Sequence, residues 1–174
     1  TLVVSVPPAI TANTGMDVLT HALEAYVSTK ASDFTDALAE KAAQIVFQYL
    51  PVAVSKGECL ATRGKMHNAS TLAGMAFSQA GLGINHAIAH QLGGQFHLPH
   101  GLANALLLTH VIHFNARDPR AAKRYARFAK ACHLCPDNAN DTAALNALIH
   151  HIELLKKQCA LPSLVDALKD GKQA

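Results

Sequence analysis

Asp17 and His21 stand four residues apart, and a helix at that spacing stacks both side chains on one face with Cβ atoms about 5–6 Å apart. A carboxylate and an imidazole so placed can share one metal ion, as paired ligands on zinc-protease helices do. They can equally form a hydrogen-bonded helical pair, or the carboxylate can serve as a cap. Glu24 and Ser28 continue the same polar stripe. A second group is denser. His86, His90, His97 and His100 fall within fifteen residues, hemmed by Gly81, Gly83, Gly93, Gly94 and Gly101, which permit close backbone approach. His86 and His90 share a helix face, and His100 opens the next helix after a tight turn. The interleaved Ile84, Ile88, Leu92 and Leu98 imply that these helices are buried. A buried imidazole needs a partner, and a metal is the usual one for clustered histidines. Three imidazoles and one carboxylate would close a compact N3O site.

The elements that must position these residues are helical. With 32 Ala and 22 Leu in 174 residues, the composition favours helix. The opening Thr1 to Val6 alternates like a short strand that Pro7-Pro8 ends. A helix is expected from Thr14, with Asp17 three residues on in a capping arrangement and Leu19, Ala22, Leu23, Tyr26 and Val27 at helical spacing. A second runs from about Asp33 to Leu50, its core face marked by Phe34, Leu38, Ile45 and Leu50, and Pro51 kinks or interrupts it. Others are expected near 58–78, 85–97, 100–115, 118–131, 141–158 and 162–169. Pro99 suits the start of the 100–115 helix, which is the most apolar and should be central. The expectation is an all-α domain of seven or eight helices behind a stub of strand.

Composition narrows the function. Half the residues are apolar and 16% are charged, which excludes disorder. No apolar stretch is long enough to span a bilayer. The net charge of +3 does not point to nucleic acid. The basic stripe Arg117, Arg120, Lys123, Arg124, Arg127, Lys130 reads as a solvated face, with Tyr125 and Phe128 turned to the core. Four cysteines are no disulfide framework, and Cys132-His-Leu-Cys135 lacks the second ligand pair a zinc site needs. Without a basic flank or long apolar core, the first residues do not read as a signal peptide. A reducing, cytoplasmic setting is expected, and the missing initiator Met reads as a fragment or processed product.

Thr14-Gly-Met-Asp17-Val-Leu-Thr-His21-Ala-Leu-Glu24-Ala-Tyr26 resembles the first signature of the iron-containing (group III) alcohol dehydrogenases. Ala73-Gly-Met-Ala-Phe77, Asn85-His86 through His90, and Leu98-Pro-His100-Gly-Leu-Ala-Asn-Ala105 resemble the second, at the family's spacing. The resemblance implies the helical C-terminal domain of a two-domain, dehydroquinate-synthase-like enzyme whose N-terminal Rossmann-like half is absent from these residues. Residues 1–10 would be a stub leading from that half, and 11–174 the metal-binding catalytic domain. It implies metal ligands Asp17, His21, His86 and His100, with Fe2+ favoured and Zn2+ chemically acceptable. It places His90 near the nicotinamide as a proton relay, and Phe77 in the alcohol pocket. Implied cofactors and substrates are NAD(H) or NADP(H) and a small alcohol or aldehyde, in a homo-oligomeric parent. Phe34 to Ala39 resembles the ethanol- and propanol-type members. Two other classes compete. A helical metal-dependent hydrolase of the His-Asp phosphohydrolase type needs a His-Asp dipeptide, which the sequence lacks. A non-catalytic helical interaction module would bind no stoichiometric metal.

Overall fold

The computed structural model describes residues 2–171, and every regular element among them is a helix. In chain order these are α1 (Pro8–Val27), α2 (Asp33–Ser55), α3 (Leu60–Ala80), α4 (Ile84–Phe96), α5 (His100–Asn115), α6 (Pro119–Ala131), α7 (Asp141–Gln158) and α8 (Leu164–Gly171). None is long and apolar enough to cross a membrane.

The expected strand is not there. Residues 2–5 form turns, and Thr1 lies outside the described residues. The Val6 carbonyl accepts from the Arg63 guanidinium at 3.0 Å instead of from a neighbouring strand. Pro8 then starts α1 six residues before Thr14, because a proline at the first helical position has a preset φ and no N–H to leave unpaired. Thr14 is therefore no cap. It sits inside the helix and donates to the Ile10 carbonyl at 2.8 Å. At the head of α2, Ser32 and Thr35 close a reciprocal capping box, and the helix runs through Pro51 to Ser55 without interruption. Phe34, expected in the core, is 61% exposed. It occupies the second position of α2, where it lines an open cavity with Gly74, Met75 and Ser78 of α3 and is only partly covered.

α1 is the central element, packed on α2, α3 and α5. Met16, Leu19, Ala22, Leu23, Ala25 and Tyr26 are all buried. α5 is buried almost all round, as its composition requires, with Gly101 to Thr109, Val111 and Ile112 inside. α4 lies on α5, and α6 pairs with α7. Tyr125 and Phe128 face the core, but the basic stripe beside them is not uniformly solvated. Arg124 donates to both Asp36 oxygens, at 2.8 and 2.5 Å, and to the Tyr26 carbonyl, with its guanidinium 4.2 Å over the Tyr26 ring. That fork fastens α6 to the end of α1 and the start of α2. All four cysteines are free thiols. Burial pushes Cys132 up to about 12 and Cys159 up to about 11, which keeps both thiols neutral and inert.

The α1–α5 crossing is set by backbone. A Cβ on Gly101 would run into the Asn13 carbonyl oxygen, with its carbon at 2.7 Å and Thr14 N at 3.3 Å. At Gly15 the obstacle is the Leu50 side chain, with Cδ2 at 2.9 Å and Cγ at 3.1 Å, which is buried but can give more readily than backbone. Gly101→Ala is therefore expected to destabilise by about 3 kcal/mol, the upper end for overpacking, a melting-point loss of about 6–12 °C for a domain this size. Gly15→Ala should cost less than half as much. Thermal melts of the two variants check the order.

Candidate metal centre

Four elements, α1, α3, α4 and α5, meet beside the middle of α1. Asp17 and His21 lie on α1 one turn apart, near its middle. His86 comes from the first turn of α4, and His100 is the first residue of α5. The link between α4 and α5 is short because His97 takes a left-handed conformation (φ 55°, ψ 24°) that reverses the chain, and Pro99 stands before the new helix.

One ligand atom each from Asp17, His21 and His86 lie within 4.8 Å of one another, and no other trio of His, Cys, Asp or Glu among the described residues does so. His86 Nε2 is 3.5 Å from Asp17 Oδ1, and His21 Nδ1 is 3.9 Å from Asp17 Oδ2. His100 Nε2 is 3.7 Å from Asp17 Oδ1, at the open edge, where its side chain is 44% exposed. The His100 imidazole thus adjoins the trio without being enclosed by it. His90, one turn after His86, is exposed, with its ring 5.2 Å from that of His100 and 6.4 Å from that of His86. Phe77 of α3 stacks on His21 with centroids 4.5 Å apart. All six residues singled out from the sequence therefore border one site.

The site has a buried floor that sequence reasoning did not assign. Glu24, on the α1 stripe but outside the trio, accepts from His86 Nδ1 at 2.6 Å and from the Asn85 amide at 2.7 Å. Asn104 donates to Asp17 Oδ1 at 2.7 Å and lies 3.1 Å from His100 Nε2, while Asn85 donates in turn to Asn104 Oδ1 at 2.9 Å. The i, i+4 relation of His100 and Asn104 was a signal for the latter. Nothing local marks Glu24, whose partners are more than sixty residues away. One further expectation fails. Ile84 and Ile88 are 40% and 38% exposed, so α4 is not enclosed on both sides and only Ala89, Asn85 and His86 are buried along it.

Electrostatics at this point favour positive charge. Burial alone would keep His86 neutral, yet Asp17 and Glu24 outweigh it and push the imidazole up to about 9. Asp17 is held below the usual carboxylate range, because contact with His86, His21, Asn104 and His100 overcomes its burial. Glu24 is lowered likewise by His86 and the α4 amides. His21 moves the other way: burial depresses it, and the nearby His86 adds to that, against Asp17. The ionised Asp17 carboxylate, the neutral His21 imidazole, and a His86 Nε2 that is buried without a hydrogen-bond partner form a donor set suited to a divalent cation, with Glu24 behind His86 and outside that set.

Comparison with known proteins agrees with this arrangement. The model of the Fe-containing alcohol dehydrogenase family, C-terminal, matches residues 11–168. A 1-propanol dehydrogenase of Citrobacter freundii is 98% identical over 174 residues, which is all of this chain and 47% of that protein. A crystal structure of a 1,3-propanediol oxidoreductase superposes with a TM-score of 0.89 at 40% identity, covering 95% of this chain and 43% of that one. A sulfoacetaldehyde reductase from Bifidobacterium kashiwanohense, solved in complex with NAD+, gives 0.80 at 34% identity, over 92% of this chain and 40% of that one. The chain spans about half the length of the curated relatives it matches most extensively. An all-helical fold, the two histidine-bearing segments and a family match over nearly the whole chain lead to one assignment: it belongs to the iron-containing alcohol dehydrogenase family, as that family's C-terminal domain.

Proposed function

We propose that this chain is the metal-binding part of an NAD(P)-dependent alcohol dehydrogenase that interconverts a small alcohol and its aldehyde, with Asp17, His21, His86 and His100 as metal ligands. The observation that carries the reading is His86 Nε2, buried, unpartnered and facing Asp17 beside His21. A buried imidazole nitrogen left without a partner costs on the order of 1–3 kcal/mol unless something fills that role. The ion is Fe2+ by family, and the same donors suit Zn2+. Bound there, it supplies a Lewis acid for an alcohol or aldehyde oxygen.

The chain's own residues do the rest. Asp17 contributes the charge that neutralises part of the cation, and its bond from Asn104 fixes the rotation of the carboxylate, with Oδ1 toward His86 and His100 and Oδ2 toward His21. Phe77, stacked on His21, offers an apolar wall for a short alkyl chain. His90 stands exposed beside His100, where an imidazole, which can both accept and donate a proton, can carry the hydroxyl proton between the site and water. A three-carbon primary alcohol is the substrate favoured, because the relative that is 98% identical is named for 1-propanol. NAD(H) or NADP(H) would be held by a separate nucleotide-binding domain, within a homo-oligomer. Four free thiols suit a reducing cytoplasm.

Equilibrium dialysis against Zn2+, and against Fe2+ under anaerobic conditions, should find one ion per chain. Asp17→Ala and His21→Ala should each abolish it. A chain that retains no stoichiometric ion would overturn the assignment of these four residues as a complete ligand set.

A further inference from the structure

We propose that Glu24 is a positioning residue that holds His86 in the one tautomer able to offer Nε2 outward, and that does so as part of a clamp on the head of α4. The proposal rests on the reading of His86 as a metal ligand. Glu24 and His86 side chains are each only 4% exposed, so the contact between them, at 2.6 Å, is shielded from water. An ionised carboxylate has no hydrogen to give, so His86 Nδ1 must be the donor. With the proton committed to Nδ1, the lone pair of the neutral ring is on Nε2, the nitrogen that faces Asp17.

The same carboxylate takes backbone hydrogens. Oε1 accepts from Asn85 N at 2.7 Å, and Oε2 lies 3.4 Å from His86 N. α4 has no side-chain cap of its own, since its N-cap residue is Gly83. Glu24, from α1, performs that function from across the core. Gly83 makes the approach possible, because a Cβ there would lie 2.8 Å from Glu24 Oε1 and 3.4 Å from Cδ. One carboxylate therefore sets both the position of the α4 backbone and the orientation of the ring it carries. A plain capping role would require only the amide contacts.

Glu24→Gln separates these. The amide oxygen can still accept from Asn85 N, but the group left toward His86 is an NH2, which cannot accept from Nδ1–H. The ring is then expected to adopt the other tautomer, with the hydrogen on Nε2. Two-bond 1H–15N correlation spectra of the 15N-histidine-labelled, metal-free chain at alkaline pH report the tautomer, with His86 assigned by comparison with His86→Gln. Zn2+ affinity, read by competition with a chromophoric chelator, should fall about 10–100-fold, while far-UV circular dichroism stays that of the unmodified chain. Gly83→Ala serves as a second variant if Glu24→Gln fails to fold. It leaves the carboxylate's chemistry unchanged, displaces it, and should weaken Zn2+ binding in the same direction. Retention of the Nδ1–H tautomer with unchanged Zn2+ affinity would overturn the proposal. If instead the unmodified chain binds no Zn2+, the ligand reading of His86 fails, and the tautomer spectra alone decide the role of Glu24.

Discussion

Assayed as these 174 residues, with NAD(H) or NADP(H) and short alcohols or aldehydes, the chain should show no turnover above background, while a longer polypeptide carrying a nucleotide-binding domain should be active. A dinucleotide is normally held by its pyrophosphate on free amides at a helix N-terminus, behind a glycine-rich turn that follows a strand. The described residues contain no strand. The one glycine-rich turn that opens a helix, Gly81-Leu82-Gly83, lacks the third glycine of the fingerprint. Its helix head is also taken, since Glu24 occupies the Asn85 amide and places negative charge where phosphate would sit. Without a held coenzyme the reaction loses the advantage of fixed geometry, about 7–11 kcal/mol, or about five to eight powers of ten in rate. Robust turnover by the 174 residues alone would place a coenzyme site inside them and overturn the two-part reading of the enzyme.

The second large effect separates two histidines one helical turn apart. His86→Ala should lower Zn2+ affinity by a factor of about 100 or more, since second-shell changes alone cost 10–100-fold. The fold should also weaken, because the Glu24 carboxylate would remain buried without its imidazole. His90→Ala should leave metal content untouched, because that ring is exposed, lies 6.4 Å from the His86 ring and, unlike His100 at 3.7 Å, does not approach Asp17. In the longer enzyme it should slow turnover by about 10²–10⁴, the usual contribution of a positioned acid–base group. Metal analysis and steady-state kinetics on the two variants decide the matter. Equal metal loss in both would mean that His90, not only His86, is a ligand.

Much of this was legible in the residues because it is local. Asp17 and His21 share a face through i, i+4 spacing, and helix α5 declares its burial through a run from Leu102 to Phe114 in which only Asn104, Thr109, His110 and His113 are polar. The start of α1 was misread because Pro7-Pro8 can end one element and begin another. Local pattern does not say which, whereas the Arg63 bond to the Val6 carbonyl, fifty-seven residues away in sequence, does. Phe34 and Ile88 show the same limit from the apolar side. A large side chain at helical spacing signals a core only where another element arrives to cover it, and at those two positions the cover is incomplete. Glu24 was visible as polar but not as a clamp, and Arg124 as basic but not as a bolt between helices. Both roles exist only once distant segments meet.

The crossing of α1 and α5 at Gly101 has a kinetic consequence. Because the two helices touch through backbone, α1 cannot slide or tilt on its own, and its amides should exchange with solvent only when the whole domain opens. α4 is different. Its main packing partner is α5, its outer side is exposed, and its head is fastened to α1 chiefly by one carboxylate. The site is thus divided into an anchored wall, Asp17 and His21, and a less firmly held one bearing His86. Local opening of α4 would part His86 from the other two without global unfolding, so the α4 amides should exchange faster than those of α1.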